Sequence, residues 1–198
     1  MERLLGIGVS AGVAVGRAVV LSQPADVVRF PVPEGRIERE LSEIARAVEQ
    51  SRRQLVDIRG HLAAGPARDL APLFDAQLLM LDDPLLVGRA RRIVADEHVN
   101  ATWAVHCAYQ ELRQLFQAME DPYLRDRETD IADVAGRIQM NLRHRGSGLR
   151  ALLEEIEEPA ILVADGLTAS LAAQLDWSRV RGVTTDAGSR TYHTAILV

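Results

Sequence analysis

The sequence contains no lysine, a single cysteine and no long apolar run. All of its basic residues are arginines, so a Schiff-base lysine is not available to it. Because Cys107 stands alone, an internal disulfide and a metal site of the cysteine type are excluded, and a cytoplasmic location is the default expectation. No apolar run approaches the roughly 18 residues of a membrane span, and the start, MERLLGIGVS, lacks the layout of a secretory signal. We therefore expect no association with a membrane.

An excess of basic charge is also missing. The formal net charge is −5 over 198 residues, whereas proteins that bind nucleic acid usually carry a basic face. A nucleic-acid partner is therefore not expected, while a basic protein partner is compatible with the charge. With 47% hydrophobic residues, the chain can build one large domain or two small ones.

The apolar pattern changes twice along the chain. Residues 4–21 are rich in glycine and valine with a turn near residues 10–12, which predicts two short strands before a linker that contains proline. From Arg36 to about Arg145 the spacing becomes helical, and its interruptions predict four or five helices with short loops. Beyond residues 146–148, PAILVADGL and RVRGVTTDAG predict strands, TASLAAQLD predicts a short helix, and SRTYHTAILV predicts the start of another helix.

The spacing also predicts which side chains of the helices face inward. Asn100 is suited to cap the fourth helix, and Pro84 is suited to the first turn of the third. The inward residues are expected to be Ile37, Leu41, Ile44, Val48, Leu55, Ile58 and Leu62 in the first helix, Trp103, Cys107, Leu112, Leu115, Phe116 and Met119 in the fourth, and Ile131, Val134, Ile138 and Leu142 in the fifth.

These elements predict an α/β domain with an all-helical insertion. The α/β domain would comprise residues 1–32 plus 148–198, because the first strands have no partner unless they join the later strands. Residues 33–147 would form the insertion, a bundle of antiparallel helical hairpins.

One of the five histidines differs from the rest in its position. His61, His98 and His144 lie near predicted helix ends and His106 lies within a helix, where structural roles are common. His193 follows a strand and a turn and lies in the predicted first turn of a helix. The helix field there favours an anion and a neutral imidazole, and Arg190 can offset phosphate charge. Position alone leaves two roles open for His193, accepting a phosphoryl group or merely capping and packing.

The segment TDAGSRTYHTAI, which contains His193, resembles the active-site segment of enzyme I of the bacterial sugar phosphotransferase system. Pyruvate phosphate dikinase and phosphoenolpyruvate synthase carry a related motif but lack the helical insertion, so enzyme I is the closer resemblance. Four further stretches resemble enzyme I in the same order: GIGVSAGVAVGRAVV, LFDAQLLMLDDPLL, DPYLRDRETDIADVAGRI and ILVADGLTASLAAQLD.

The resemblance implies a phosphohistidine (swivelling) domain, truncated at its C-terminal side, with His193 phosphorylated at Nε2. Thr168 would hydrogen-bond the unphosphorylated ring, although it is equally suited to cap a helix. In the family the phosphoryl group comes from phosphoenolpyruvate, which binds with Mg²⁺ on a separate C-terminal barrel, and passes to the phosphocarrier HPr. The chain is therefore expected to be a piece of a longer enzyme that dimerises through the absent C-terminal domain. No cofactor is expected in this piece.

The resemblance also implies that the helical insertion binds HPr. The contact residues would be Asp69, Asp75, Leu79, Met80 and Asp83, together with Leu124 and Arg127 on a later helix. Apolar residues surrounded by acids suit a basic partner with an apolar patch. Alternatively, Leu79 and Met80 belong to the core and the acids form a solvated face.

The sequence departs from the family pattern at a few positions. Gln77 stands where many relatives have histidine, Pro84 and Leu85 replace acids, and Tyr192 precedes His193 where a small residue is more common. Two other functions stay open: a paralogue of enzyme I in nitrogen-related signalling, and a carrier-binding module that does not transfer phosphate.

Overall fold

The computed structural model describes residues 5–21, 27–64, 68–144, 159–164, 166, 172, 175 and 177–186. By internal contacts the chain divides into two compact units, Met1–Ala25 with Leu153–Val198, and Asp26–Leu152. Within the described ranges the second unit contains the helices α1 (Ile37–Ala63), α2 (Ala71–Met80), α3 (Arg89–Glu97), α4 (Ala101–Gln117) and α5 (Pro122–His144). The first unit contains the strands β1 (Arg17–Leu21), β2 (Ala160–Ala164) and β3 (Val180–Thr185).

Helix α1 buries one face along its length, as its spacing predicts. Ile44, Leu55 and Ile58 are buried. The inward residues predicted for α1 leave a gap of one helical turn between Val48 and Leu55. The buried Ser51 occupies this turn. Its hydroxyl donates to the carbonyl oxygen of Ala47 at 2.8 Å, which satisfies the hydroxyl proton within the core.

A short π-helical turn, Pro84–Gly88, connects α2 to α3. The sequence predicts Pro84 in the first turn of the third helix, whereas Pro84 begins this π-helical segment and α3 begins at Arg89. The missing N–H of Pro84 costs nothing in the first turn of the segment. Asp83 caps this turn, because its Oδ1 accepts a hydrogen bond from the backbone N–H of Leu85 at 2.8 Å. Leu86 is buried below the turn, so the change of direction between the two helices is fixed by one cap and one apolar anchor.

The N-terminus of α4 is capped from α1, which differs from the prediction. Glu40 Oε2 accepts a hydrogen bond from the backbone N–H of Ala101 at 2.8 Å. Asn100 precedes the helix as predicted, but its side chain does not cap it. Instead Asn100 Oδ1 accepts from the N–H of Phe30 at 3.0 Å and Nδ2 donates to the carbonyl of Val28 at 3.2 Å. Asn100 thus attaches the extended segment before α1 to the helices.

The buried face of α4 also differs from the prediction. Leu112 is buried as expected, whereas Leu115 is 55% exposed. The other buried residues are small, namely Ala101, Ala104, Val105 and Ala108. Alanines allow close approach of neighbouring helices, so the face that packs is not the one with the largest side chains. The inward residues predicted for α5 fit better, since Ile131, Val134 and Ile138 are buried.

The described strands form a parallel sheet in the order β1-β2-β3. The central strand β2 alternates buried and half-buried residues, and Leu162 is fully buried. Its buried side chains pack with Leu175 and Val180 in a small apolar cluster. The first strand joins the later strands, as the sequence predicts, and the structure shows that both pairings are parallel.

Only one of the two strands predicted in residues 4–21 is present among the described residues, since 5–16 contain no strand. The backbone before β1 passes close to the start of β2. A Cβ atom at Gly16 would lie 3.0 Å from the carbonyl oxygen of Pro159, so this close approach favours glycine.

The segment 28–32 lies with the helices. Besides the two bonds of Asn100, the N–H of Val32 donates to the carbonyl of His98 at 2.7 Å, and Val32 is buried. The boundary between the units accordingly follows residue 25, whereas the sequence pattern suggested residue 32. In the described part of the chain, no helix is long and apolar enough to cross a membrane.

Candidate functional site

The three residues expected at the phosphoryl-transfer site, Thr168, Arg190 and His193, lie outside the described residues. The strands that precede these residues in sequence, β2 before Thr168 and β3 before Arg190 and His193, are described. The N–H of Asp186, directly after β3, donates to the carbonyl of Ala164, the last residue of β2, at 3.3 Å. The carboxyl ends of β2 and β3 are therefore adjacent at one edge of the sheet. In open parallel sheets, ligands bind at this edge.

Helix α2 has one buried and one exposed face. Phe74 and Gln77 are buried, whereas Leu79 is 75% exposed and Met80 is half-buried. Leu79 is therefore not a core residue. The alternative interpretation given above, that Leu79 belongs to the core, does not fit this exposure. A large apolar side chain at this exposure is suited to contact a partner.

The acids beside Leu79 already form ion pairs with α1. Asp75 Oδ1 accepts a hydrogen bond from Arg59 NH1 at 2.6 Å, and Asp82 Oδ1 accepts one from Arg52 NH2 at 2.6 Å. All four side chains are about a third or more exposed. The acidic face of α2 is thus neutralised in part by the arginines of the neighbouring helix.

The remaining predicted contact residues differ in their surroundings. Asp69 is almost fully exposed, and its Oδ1 is 3.9 Å from Nε of Arg68. Asp83 is half-buried and caps the turn that begins at Pro84, which gives it a structural role. Leu124 and Arg127 belong to α5, but their side chains lie outside the described residues.

The sequence pattern does not single out Asp82, which the structure places in an ion pair with Arg52 of α1. Asp75 and Leu79 are four residues apart on α2 and so lie on one side of that helix. Asp82 lies in the turn after α2, which ends at Met80, so helical spacing does not assign it to this side. The two arginines of α1 could not have been found from the sequence alone, because their pairing depends on how α1 and α2 pack.

A buried polar network joins α1, α2 and α5. Gln77 Nε2 donates to Asp133 Oδ2 at 3.0 Å, and Arg137 NH1 donates to Gln54 Oε1 at 2.9 Å. Asn141 continues the network, since its Nδ2 donates to Ser51 Oγ at 2.9 Å. Burial lowers the pKa of the Arg137 guanidinium, and the nearby carboxylate of Asp133 partly offsets this effect. The network fixes the rotation of α2 about its axis and so determines which of its residues face outward.

Two protein families match this chain. The family described as "PEP-utilising enzyme, N-terminal" matches residues 5–127, and the family described as "PEP-utilising enzyme, mobile domain" matches residues 156–198. The first match covers the helices α1 to α4, and the second covers β2 and β3.

Similarity to curated proteins extends over the whole chain. The phosphoenolpyruvate-protein phosphotransferase of Bacillus subtilis is 34% identical over 198 residues, which are 100% of this chain and 34% of that protein. The protein of the same name from Listeria monocytogenes is 35% identical over 196 residues, 99% of this chain and 34% of that protein. The chain therefore spans about a third of the length of these curated relatives.

Two solved structures share the fold. A solution structure of Enzyme I (nEIt) matches with a TM-score of 0.72 and 27% identity over 96% of this chain and 75% of that chain. A structure described as "N-terminal domain of Enzyme 1 - Nitrogen" matches with a TM-score of 0.71 and 25% identity over 96% of this chain and 76% of that chain. The resemblance to the N-terminal part of enzyme I that the motifs indicate is thereby confirmed, and the chain belongs to the family of PEP-utilising enzymes.

Proposed function

We propose that this chain is the phosphoryl-carrying and carrier-docking part of a phosphoenolpyruvate–protein phosphotransferase. It receives a phosphoryl group on Nε2 of His193 and passes it to an HPr-type phosphocarrier. In the longer enzyme, phosphoenolpyruvate is the first donor, Mg²⁺ and phosphoenolpyruvate bind outside this sequence, and the enzyme is a homodimer. Similarity to phosphotransferases along the whole chain supports this proposal.

The observation that carries the proposal is the adjacency of the carboxyl ends of β2 and β3. The hydrogen bond from Asp186 to Ala164 joins the two strand ends. Thr168 follows the end of β2 by four residues and His193 follows β3 by eight. An extended chain spans at most roughly 3.5 Å per residue, so both residues are within reach of the same edge. This arrangement supports a site at which Thr168 and His193 meet.

The transfer is an exchange of one phosphorus–nitrogen bond for another. The bond from phosphorus to the carrier's histidine breaks as the bond to His193 Nε2 forms, and the reverse reaction returns the group. Because the bonds are of one kind, the protein contributes mainly alignment and charge neutralisation. Arg190 is proposed to balance the charge of the phosphoryl oxygens, and Thr168 to hold the ring when it is unphosphorylated.

The carrier docks on a surface that we define by Asp75, Leu79, Met80 and Asp82 and call the α2 docking face. Its exposed leucine supplies apolar contact area, and its carboxylates attract a basic partner. Asp69 extends the acidic rim, while Leu124 and Arg127 are proposed as contacts from α5. Asp83 contributes to this surface mainly by holding the turn after α2.

Phosphate exchange tests the catalytic part of the proposal. The 198-residue chain is incubated with phosphorylated HPr from the same organism, and the acid-labile phosphate is located by mass spectrometry. We expect label on His193, none in His193→Gln, and wild-type labelling in His106→Gln. Phosphoenolpyruvate alone should leave the chain unlabelled. Label on another histidine would refute the assignment of His193.

Binding of unphosphorylated HPr tests the docking part. Leu79→Ser is expected to weaken binding about tenfold or more if Leu79 is a central contact. Val28→Ser is the matched control, because Val28 is also exposed, at 64%, but lies far from the docking face. The carbonyl of Val28 accepts a hydrogen bond from Asn100, which precedes α4, and Glu40 of α1 caps the start of α4. Glu40 is about 24 Å along α1 from Val56, which lies close to the docking face. Equal losses in the two variants would contradict the assigned face.

A second candidate is enzyme I of a nitrogen-related phosphotransferase branch. It is favoured by the TM-score of 0.71 with the structure described as "N-terminal domain of Enzyme 1 - Nitrogen", which nearly equals the 0.72 of the other solved structure. The rates of phosphate exchange with the sugar-branch and nitrogen-branch carriers of the same organism would distinguish the branches. Binding of either carrier without exchange would indicate a module that docks carriers but does not transfer phosphate.

A further inference from the structure

We propose that Arg52 and Arg59 of α1 compete with the carrier's basic groups for the carboxylates of the α2 docking face. The two arginines would thereby weaken carrier binding and make it depend on the number of cations that the carrier presents. This inference rests on the proposed function, and it identifies α1 as the element that sets the strength and selectivity of docking.

Two ion pairs connect α1 to α2 and the turn that follows it. Arg52 pairs with Asp82 and Arg59 pairs with Asp75, each at 2.6 Å. The sequence distance from 52 to 59 equals that from 75 to 82, as expected for antiparallel helices in constant register. In sequence, Val56, 42% exposed, lies between the two arginines of α1, and Leu79, 75% exposed, lies between the two acids.

Both acids of the α2 docking face, Asp75 and Asp82, already form an ion pair with an arginine of α1. The carboxylates are more exposed than their arginines: Asp75 is 57% exposed against 42% for Arg59, and Asp82 is 68% exposed against 32% for Arg52. A cation approaching from solvent therefore meets carboxylate oxygen first. The carrier must either displace the arginine or share the carboxylate with it, and either outcome reduces the gain from each new ion pair.

The arginines are expected to contribute little to folding. Exposed ion pairs of this kind are weak in water, because solvent and salt screen them and long side chains lose freedom in forming them. Their removal should thus leave the helices intact and change mainly the electrostatic potential of the docking face. Arg52 also lies 3.8 Å from Glu49, so Arg59→Gln is the simpler variant.

The test is titration of the 198-residue chain with unphosphorylated HPr at about 50 mM and about 300 mM salt, where screening differs strongly. Arg59→Gln and Arg52→Gln are expected to bind about two- to fivefold more tightly at the lower salt, with a steeper loss of affinity at the higher salt. Arg53→Gln is the matched control. It removes the same charge from α1, but Arg53 pairs with Glu49 at 3.1 Å and not with α2.

The outcomes separate the two proposals. If Arg59→Gln and Arg52→Gln bind HPr no more tightly than Arg53→Gln, the competition by α1 is refuted while carrier docking stands. Weaker binding by these variants would also refute it, since the arginines would then contact the carrier themselves. If the wild-type chain binds no HPr at all, the proposed docking function fails, and this inference fails with it. The double variant Arg59→Gln/Asp75→Asn should lose the gain in affinity, because the released carboxylate is then absent.

Discussion

Gln77 of α2 donates a hydrogen bond from Nε2 to Oδ2 of Asp133 of α5 at 3.0 Å, with both side chains buried. Residues two positions apart lie about 200° apart around a helix. Burial of Gln77 therefore turns Leu79 to solvent, so the bond in the core determines what α2 presents at the surface. Gln77 thus supports the surface that we propose as the α2 docking face.

Replacement of Gln77 by alanine should destabilise the helical unit by about 1–3 kcal/mol, because a buried carboxylate loses a hydrogen-bond donor and a cavity is left. The free energy of unfolding, measured with urea at neutral pH, tests this. Leu79→Ser on the same helix is the control and should change stability by less than about 0.5 kcal/mol, since its side chain is largely exposed. Equal costs in the two variants would contradict the role assigned to Gln77.

Replacement of Glu40 by alanine should cost about 1 kcal/mol, the usual effect of losing a helix cap. Glu40 supplies the acceptor for the N–H of Ala101, although 61 positions separate the two residues. Glu49→Ala is a suitable control on the same helix, because Glu49 is exposed and pairs only with neighbouring arginines of α1 in the described contacts. A change in the free energy of unfolding no larger than that of the control would show that Glu40 does not act as a cap.

The sequence predicted the elements better than their contacts. The helices α1 to α5 and the strands β2 and β3 follow from periodicity and from glycine and proline positions, which are local properties. Contacts between distant segments were not accessible in this way. Glu40 caps α4 where Asn100 was expected to, and the packed face of α4 consists largely of alanines that a search for large apolar residues passes over.

In the candidate site, too, residues within motifs could be predicted from the sequence, whereas contacts between helices could not. Family motifs predict roles for His193, Thr168 and Leu79, because those residues lie in short recognisable stretches; of the three the structure describes only Leu79, which is exposed. The ion pairs of α1 with Asp75 and Asp82 depend on helix packing, so no motif contains them. Roles for Leu124 and Arg127 stay predictions.

His106 should make the protein less stable as the pH falls. Burial, and secondarily the charge of Arg143, lowers the pKa of His106 in the folded chain. The unfolded chain then binds more protons below about pH 6.5, so stability present above this pH is lost as the pH falls from there toward the folded pKa. The decrease in unfolding free energy between about pH 7.5 and about pH 5 should be smaller in His106→Gln.

Titration of the His106 ring by NMR gives an independent check. Its pKa should lie below the ordinary value and should rise in Arg143→Gln, which removes the neighbouring positive charge. An unchanged decrease of stability in His106→Gln, together with an ordinary pKa, would contradict this prediction.

Cys107 should react slowly with iodoacetamide. Burial raises the pKa of its thiol, and the carboxylates of Glu97 and Glu111 raise it further. Because the thiolate is the reactive form, the rate near neutral pH should be below that of free cysteine and should increase in Glu97→Gln. The single cysteine makes the reaction easy to follow by mass, and the urea-unfolded chain provides the reference rate. A rate equal to that reference in the folded chain would refute the prediction.

The pairing of β1 with β2 brings together strands that are separated by residues 22–159. Closing a flexible loop of roughly 140 residues costs on the order of 4 kcal/mol of chain entropy, in addition to a constant. If the helices fold first, fewer flexible residues remain between β1 and β2. The pairing of β1 with β2 then costs less chain entropy. A newly made chain would then fold its helical insertion first and complete the sheet last.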